Sequence, residues 1–193
     1  MNPAIDEHLV RYGVDASVST AIAALQSGAA LPSQFLTFML DQDQYAVGIL
    51  HIKEIIEYGS LATVPMMPDC VRGVINLRGA VVPVMDLSAR FGRAPSAIGK
   101  RSCIVIVETA GAAGEGKQVM GMLVDAVNAV VEIAATDIEP APAFGTRIRP
   151  DFIAGMGKLP DQGRNRFVIL LDLGRVLSSE EIVELARGSA AAA

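Results

Sequence analysis

A mainly β chain that forms two small barrels packed together, with short helices and one C-terminal helix, is the architecture this sequence predicts. Three observations carry it. Short runs of Val, Ile, Leu and Phe, each of strand length, alternate with Gly-, Pro- and Asp-containing turns. The two halves of the chain echo each other in order. Each half holds about five such runs, too few for an open sandwich and enough for a small closed barrel. Two barrels packed together bury the faces that neither buries alone.

The elements follow in order. Residues 1–33 stand apart. Asn2-Pro3 reads as a helix cap followed by Pro at the first helical position, and Ile5, Leu9 and Tyr12 share a helical face up to Gly13. Val14, Val18, Ile22 and Leu25 then recur at helical spacing as far as Gly28. This arm is expected to form two short amphipathic helices, or one that forms on docking. From Gln34 the period changes. Phe35–Leu40 and Gln44–Ile49 form a hairpin around Asp41-Gln42-Asp43, and Ile52–Tyr58 is the next strand. Val74–Leu77 and Ala80–Met85 are joined at Arg78-Gly79, and Asp86 caps a short helix, Leu87–Phe91, that Gly92 ends.

The second half opens with Cys103–Val107, a continuous apolar strand buried on both faces. Gly111–Gly116 is a hairpin loop, and strands follow at Gln118–Val124, Ala129–Ile133, Phe152–Leu159 and Arg166–Leu171. Thr136-Asp137-Ile138-Glu139 and Ser178-Ser179-Glu180-Glu181 are capping-box patterns. The first predicts one helical turn, the second a helix to about Arg187. Residues 188–193 are a tail.

The internal repeat sets Gly48-Ile49-Leu50 against Gly121-Met122-Leu123, and Ile52–Glu57 against Val127–Glu132. Asp69–Gly73 matches Asp151–Gly155, and Val84-Met85-Asp86-Leu87 matches Leu170-Leu171-Asp172-Leu173. In both halves a strand ends in an Asp that starts a short helix.

Composition excludes several classes. Hydrophobic residues make up 51% and charged residues 19%, which is globular and rules out disorder along the whole chain. The net charge is −5, and no basic run exceeds the pair Lys100-Arg101, so neither nucleic acid nor an anionic membrane is an expected partner. Cys70 and Cys103 lie in apolar stretches without metal or redox spacing, and are expected to be buried, reduced thiols. His8 and His51 lack partner spacing, Gly111–Gly116 lacks the Lys-Ser or Lys-Thr of a phosphate loop, and no acid, base and nucleophile cluster together. No catalytic set, metal or cofactor is expected. Without a signal peptide or an apolar span, the protein is expected in the cytoplasm.

Recognition is the remaining kind of function. Arg78 sits at a turn between apolar strands where any polar residue would serve, and a planar donor fork there suits the carbonyls or carboxylates of a partner. Asn76 and Gly79 shape that turn. The stretch Gly73-Val74-Ile75-Asn76-Leu77-Arg78-Gly79-Ala80-Val81-Val82-Pro83-Val84-Met85-Asp86-Leu87 resembles the signature of the CheW family of chemotaxis coupling proteins. Phe35-Leu36-Thr37-Phe38, Tyr45, Val47-Gly48-Ile49 and Ile52-Lys53-Glu54-Ile55 resemble that family's first strands. The resemblance covers roughly residues 34–187.

The resemblance implies a domain over 34–187 made of two intertwined SH3-like barrels, with the arm 1–33 outside it. It implies a free, non-catalytic coupler between a chemoreceptor's cytoplasmic hairpin tip and the regulatory domain of a CheA-type histidine kinase, with other CheW-like domains as ring neighbours and no insertion into the membrane. By the same resemblance, Ile52, Arg72, Gly73, Asn76, Arg78 and Gly79 form the receptor-binding groove. Glu54 and Ile55 meet the kinase, and an acid beside an apolar residue on an edge strand suits that role. Two alternatives stay open: an adaptor of another chemosensory-type pathway, such as pilus motility or surface sensing, and a small-ligand binder or enzyme using the cleft between barrels.

Overall fold

A computed structural model of the chain describes residues 34–110, 116–141, 147–161 and 164–178. The expected arm helices, the Gly111–Gly116 loop apart from Gly116, the helix from Ser178 to Arg187 beyond its first residue, and the tail lie outside the described residues. The first half gives β1 (Gln34–Leu40), β2 (Asp43–Gly48), a 3-10 turn at Ile49–His51, β3 (Ile52–Glu57), β4 (Val71–Leu77), β5 (Ala80–Asp86) and α1 (Leu87–Arg90). The second gives β6 (Cys103–Ala110), β7 (Lys117–Val124), β8 (Ala126–Glu132), β9 (Ile138–Glu139), β10 (Ile153–Asp161), β11 (Arg164–Leu171) and α2 (Leu173–Val176).

These strands make two sheets, ordered β8-β1-β2-β11-β10-β9 and β3-β6-β7-β5-β4. Each half gives its leading hairpin to the other half's sheet. β1–β2 sits among second-half strands, and β6–β7 among first-half strands. Four pairings join the halves: β2 with β11 and β5 with β7 are parallel, while β1 with β8 and β3 with β6 are antiparallel, as is every pair within a half.

The exchange explains the apolar pattern. β6 is buried on both faces, as expected: Ile104 and Ile106 face the first barrel's interior with Val82, Val84 and Leu123, while Cys103, Val105 and Val107 face away. β2 divides the same way, Ala46 toward the second barrel's interior with Val168 and Leu170, and Tyr45 and Val47 away from it. The outward faces meet in the largest core, which holds Phe38, Met85, Leu87, Met122, Phe152 and Val176 and draws on both sheets.

The repeat is real, but its register differs from the one that matching glycines suggests. Val84 faces Gly121 across β5 and β7, and Leu170 faces Ala46 across β11 and β2. Since Val84 and Leu170 correspond, Gly121 corresponds to Ala46, two residues before Gly48. The shift is even, so inward and outward faces are kept. A small residue is needed at this position: a Cβ on Gly121 would lie 2.7 Å from Ile104 Cγ2 and 3.1 Å from Val84 Cγ2. Gly155 and Gly157 are also sites of close approach, with would-be Cβ atoms 2.8 Å from Ile138 Cγ2 and 2.7 Å from Ile133 Cδ1.

Both capping aspartates behave as the sequence implies. Asp86 accepts from the Ala89 N–H, and Asp172 from the Arg175 N–H. Thr136 does not cap. It lies inside a single 3-10 turn, Ala135–Asp137, that has no side-chain cap, and Ile138 goes straight into β9. The pull of β10 on that strand outweighs the local capping pattern. Cys70 and Cys103 are free and buried.

Two outcomes are expected. Gly121→Val forces a side chain into a filled barrel interior and should destabilise the fold by about 1–3 kcal/mol in urea unfolding. Burial pushes the Cys103 thiol up to about 12. In the unfolded chain the thiol ionises near its ordinary value, so its contribution to stability is complete at neutral pH and fades as the pH rises past about 9. A thiol reagent at pH 8 should therefore modify Cys103 only at the rate of unfolding.

Candidate functional site

The β4–β5 hairpin turns on two residues, Arg78 and Gly79, because Leu77 pairs with Ala80. Both have positive φ, +53° and +92°. Gly79 adopts this freely, as expected, and Asn76 Oδ1 accepts from its N–H at 2.8 Å. Arg78 does not: a left-handed residue with a long side chain costs about 1–2 kcal/mol. The β1–β2 hairpin makes the contrast plain. Its first turn residue, also at positive φ, is Asp41, a type that tolerates this region.

The Arg78 side chain is 80% exposed, and one guanidinium nitrogen donates to Glu54 Oε2 at 3.0 Å. Glu54 is on β3, at the opposite edge of the five-stranded sheet from β4. The edges meet because the barrel closes: past β3, Ala62 pairs with Val74 of β4. An exposed pair of this kind contributes about 0–1 kcal/mol, so it opens at small cost.

A β-bulge at Lys53 interrupts the pairing of β3 with β6, where Ile52 faces Val107 and Glu54 faces Ile106. Lys53 Nζ lies 2.6 Å from Glu108 Oε2, and Lys117 Nζ lies 2.6 Å from Glu108 Oε1. Lys117 and then Lys53 hold the Glu108 carboxyl below the usual carboxylate range. Leu50, Ile52, Lys53, Glu54, Arg78 and Glu108 together line an open groove of about 350 Å³. It lies where the chain crosses from the six-stranded to the five-stranded sheet. Its floor, Ile52, is buried, and Leu50 stands 57% exposed. The groove offers a partner a guanidinium, paired carboxylates and an apolar wall.

The sequence-predicted residues divide here. Ile52, Glu54 and Arg78 converge on the groove, and Asn76 and Gly79 shape its turn. Arg72 and Gly73 lie at the other end of β4. Arg72 is the bulged residue between Val71 and Gly73, its Nε 3.1 Å from Asp86 Oδ2 as an ion pair without hydrogen-bond alignment, and its Nη2 donating to the Ser96 carbonyl at 2.6 Å. Gly73, at φ +144°, has no room for a side chain, since a Cβ would meet the Ala62 carbonyl oxygen at 2.5 Å. Neither residue lines the groove in which the resemblance placed both. Receptor and kinase residues were also expected on separate surfaces, yet Arg78 and Glu54 bond each other directly. Ile55 is not a free apolar residue on the edge: it is half-buried and packs on the core between the barrels. Leu50, Lys53 and Glu108 went unnoticed. Glu108, the one acid in an apolar strand, was the available signal.

At the end of the hairpin away from the turn, Asp86 is fully buried. It accepts from the Ala89 N–H at 3.2 Å and from the Ser96 N–H and Oγ at 2.8 and 3.1 Å, besides pairing with Arg72. This ties β4, β5, α1 and the following loop together. Among the described residues, no group of three His, Cys, Asp or Glu is placed to hold a metal ion, and no helix is long and apolar enough to cross a membrane.

The model for the CheW-like domain matches residues 34–181. The chain is 31% identical to the chemotaxis protein CheW of Klebsiella aerogenes over 156 residues, covering 81% of this chain and 88% of that one. It is 26% identical to protein FrzA of Myxococcus xanthus, covering 85% and 97%. The crystal structure of the scaffolding protein TtCheW from Thermoanaerobacter tengcongensis is 33% identical, with a TM-score of 0.65 over 76% of this chain and 88% of that one.

Arg78→Asn should leave stability within about 1 kcal/mol of the parent in urea unfolding, because Asn relieves the strained φ while the ion pair is lost. Asp86→Ala should cost about 2–5 kcal/mol by the same measurement, since it strands Arg72 and the Ser96 donors.

Proposed function

The chain belongs to the CheW family of chemotaxis adaptors, and on that premise we propose that it couples chemoreceptors to a CheA-type histidine kinase as a scaffold without chemistry of its own. The observation that carries the proposal is Arg78, an exposed guanidinium held at a strained turn over a groove and paired weakly with Glu54. A receptor hairpin tip that offers carbonyls or carboxylates exchanges the Glu54 contact for its own at little cost. The kinase regulatory domain meets β3 around Glu54, with Ile55 supporting that strand from the core side. The protein then works in the cytoplasm beneath membrane receptor arrays, with other CheW-like domains as ring neighbours. Residues 34–187 form the coupling domain, with the arm 1–33 before it and the tail 188–193 after it.

A second reading, an adaptor of another chemosensory-type pathway, is supported by the similarity to FrzA, a relative not named for chemotaxis. Affinity for the kinase of each pathway separates the two.

Arg78→Glu tests the coupling. It removes the donor fork and sets a second carboxylate against Glu54. Receptor-dependent kinase activation should fall at least about tenfold, the equivalent of 1.4 kcal/mol of coupling, while the melting temperature shifts by only a few degrees. The Arg78→Glu/Glu54→Arg exchange restores an ion pair and should restore stability without restoring activation. Normal activation by Arg78→Glu would show that Arg78 is a turn residue and that the receptor docks elsewhere. Glu54→Ala should weaken kinase binding, and unchanged affinity would remove β3 from that interface.

A further inference from the structure

The groove has a neighbour in the chain itself. β1 begins at Gln34, and Phe35 pairs with Gly48. The segment before Gln34 therefore leaves the domain beside the end of β2, and Leu50 follows two residues after Gly48, within roughly 15 Å of that exit. Leu50 is the one exposed apolar side chain among the residues that line the groove. At the exit, Gln34 Oε1 is buried and has no hydrogen-bond partner among the described residues.

The sequence before Gln34 suits that position. Val14, Val18, Ile22 and Leu25 fall on one side of a helical wheel. The other side is Ala, Ser and Thr, and Asp15 is the only charged residue from 14 to 25. A stretch of this length is too short to hold helix alone in water, and helix there requires a surface for the apolar stripe. The residues between Leu25 and Gln34 span up to roughly 30 Å when extended, more than the distance to Leu50. So short a tether holds the stripe at an effective concentration in the millimolar range.

We propose that the apolar stripe of residues 14–25 folds back onto Leu50 at the mouth of the groove, so that the chain's own N-terminal segment competes with the receptor hairpin tip. The contact itself follows from the exit point, the exposed Leu50 and the stripe. The competition rests on the reading of the groove as the receptor site.

Two experiments on the full chain decide it. In the first, Leu50→Cys is combined with Ile22→Cys on the stripe or with Thr20→Cys on the opposite face, and disulfide formation is timed with diamide. The native Cys70 and Cys103 are buried and stay silent. Both pairs share one tether, so only a seated stripe separates them: the Ile22 pair should close at least about tenfold faster, and equal rates overturn the contact. In the second, a coiled-coil fragment carrying a chemoreceptor hairpin tip is titrated against the parent and against Val18→Asp/Ile22→Asp. Its affinity for the variant should rise roughly threefold to tenfold as the competitor is lost, and unchanged affinity overturns the competition. If the fragment binds neither form, the receptor reading of the groove fails, while the ratio of disulfide rates still decides where the stripe sits.

Discussion

The exchange of hairpins between the two halves is the constraint on which the structure depends. β1–β2 completes the barrel built from β8 to β11, and β6–β7 completes the barrel built from β3 to β5. Neither half has a closed barrel without the other. The apolar surface follows suit, with the interiors small and the largest core between the barrels, fed by strands of both sheets. The barrels are therefore one cooperative body, and a groove at the crossover between sheets is held from both sides.

The two copies have diverged at specific points. Asp86 and Asp172 both cap short helices, but Asp86 is fully buried with four polar partners while Asp172 is exposed. Each copy carries a bulge at the start of its next-to-last strand, β4 and β10. The bulged residue is Arg72 in one and the exposed Ala154 in the other. The first copy has thus invested in polar order around the hairpin that carries Arg78. A strained turn keeps its conformation only where the surroundings fix it; the Asn76 hydrogen bond holds the turn itself, and the Ala62 bridge ties β4 below it. Holding Arg78 out over the groove while leaving its bond to Glu54 weak gives a firm scaffold and an easily exchanged contact.

Several features could be read directly from the chain. The β1–β2 hairpin, the double-sided apolar run of β6 and the two capping aspartates are local signals, each set by residues a few positions apart. The Arg78-Gly79 turn was legible for the same reason, since a two-residue connection between apolar strands admits few geometries. Thr136 shows the limit: its capping box is a valid local pattern, and pairing with β10 overrides it.

What the sequence determined by itself was the inventory: mainly β, two copies, an exposed Arg at a tight turn, two buried thiols and the family signature. The tertiary structure decided which strands share a barrel, because a strand apolar on both faces fits either sheet until the joins β2–β11 and β5–β7 choose one. It also decided that Ile55 packs on the core, that Arg72 and Gly73 lie away from the groove, and that Arg78 and Glu54 bond each other. Those residues lie far apart in sequence, and barrel closure alone sets the distance between their side chains.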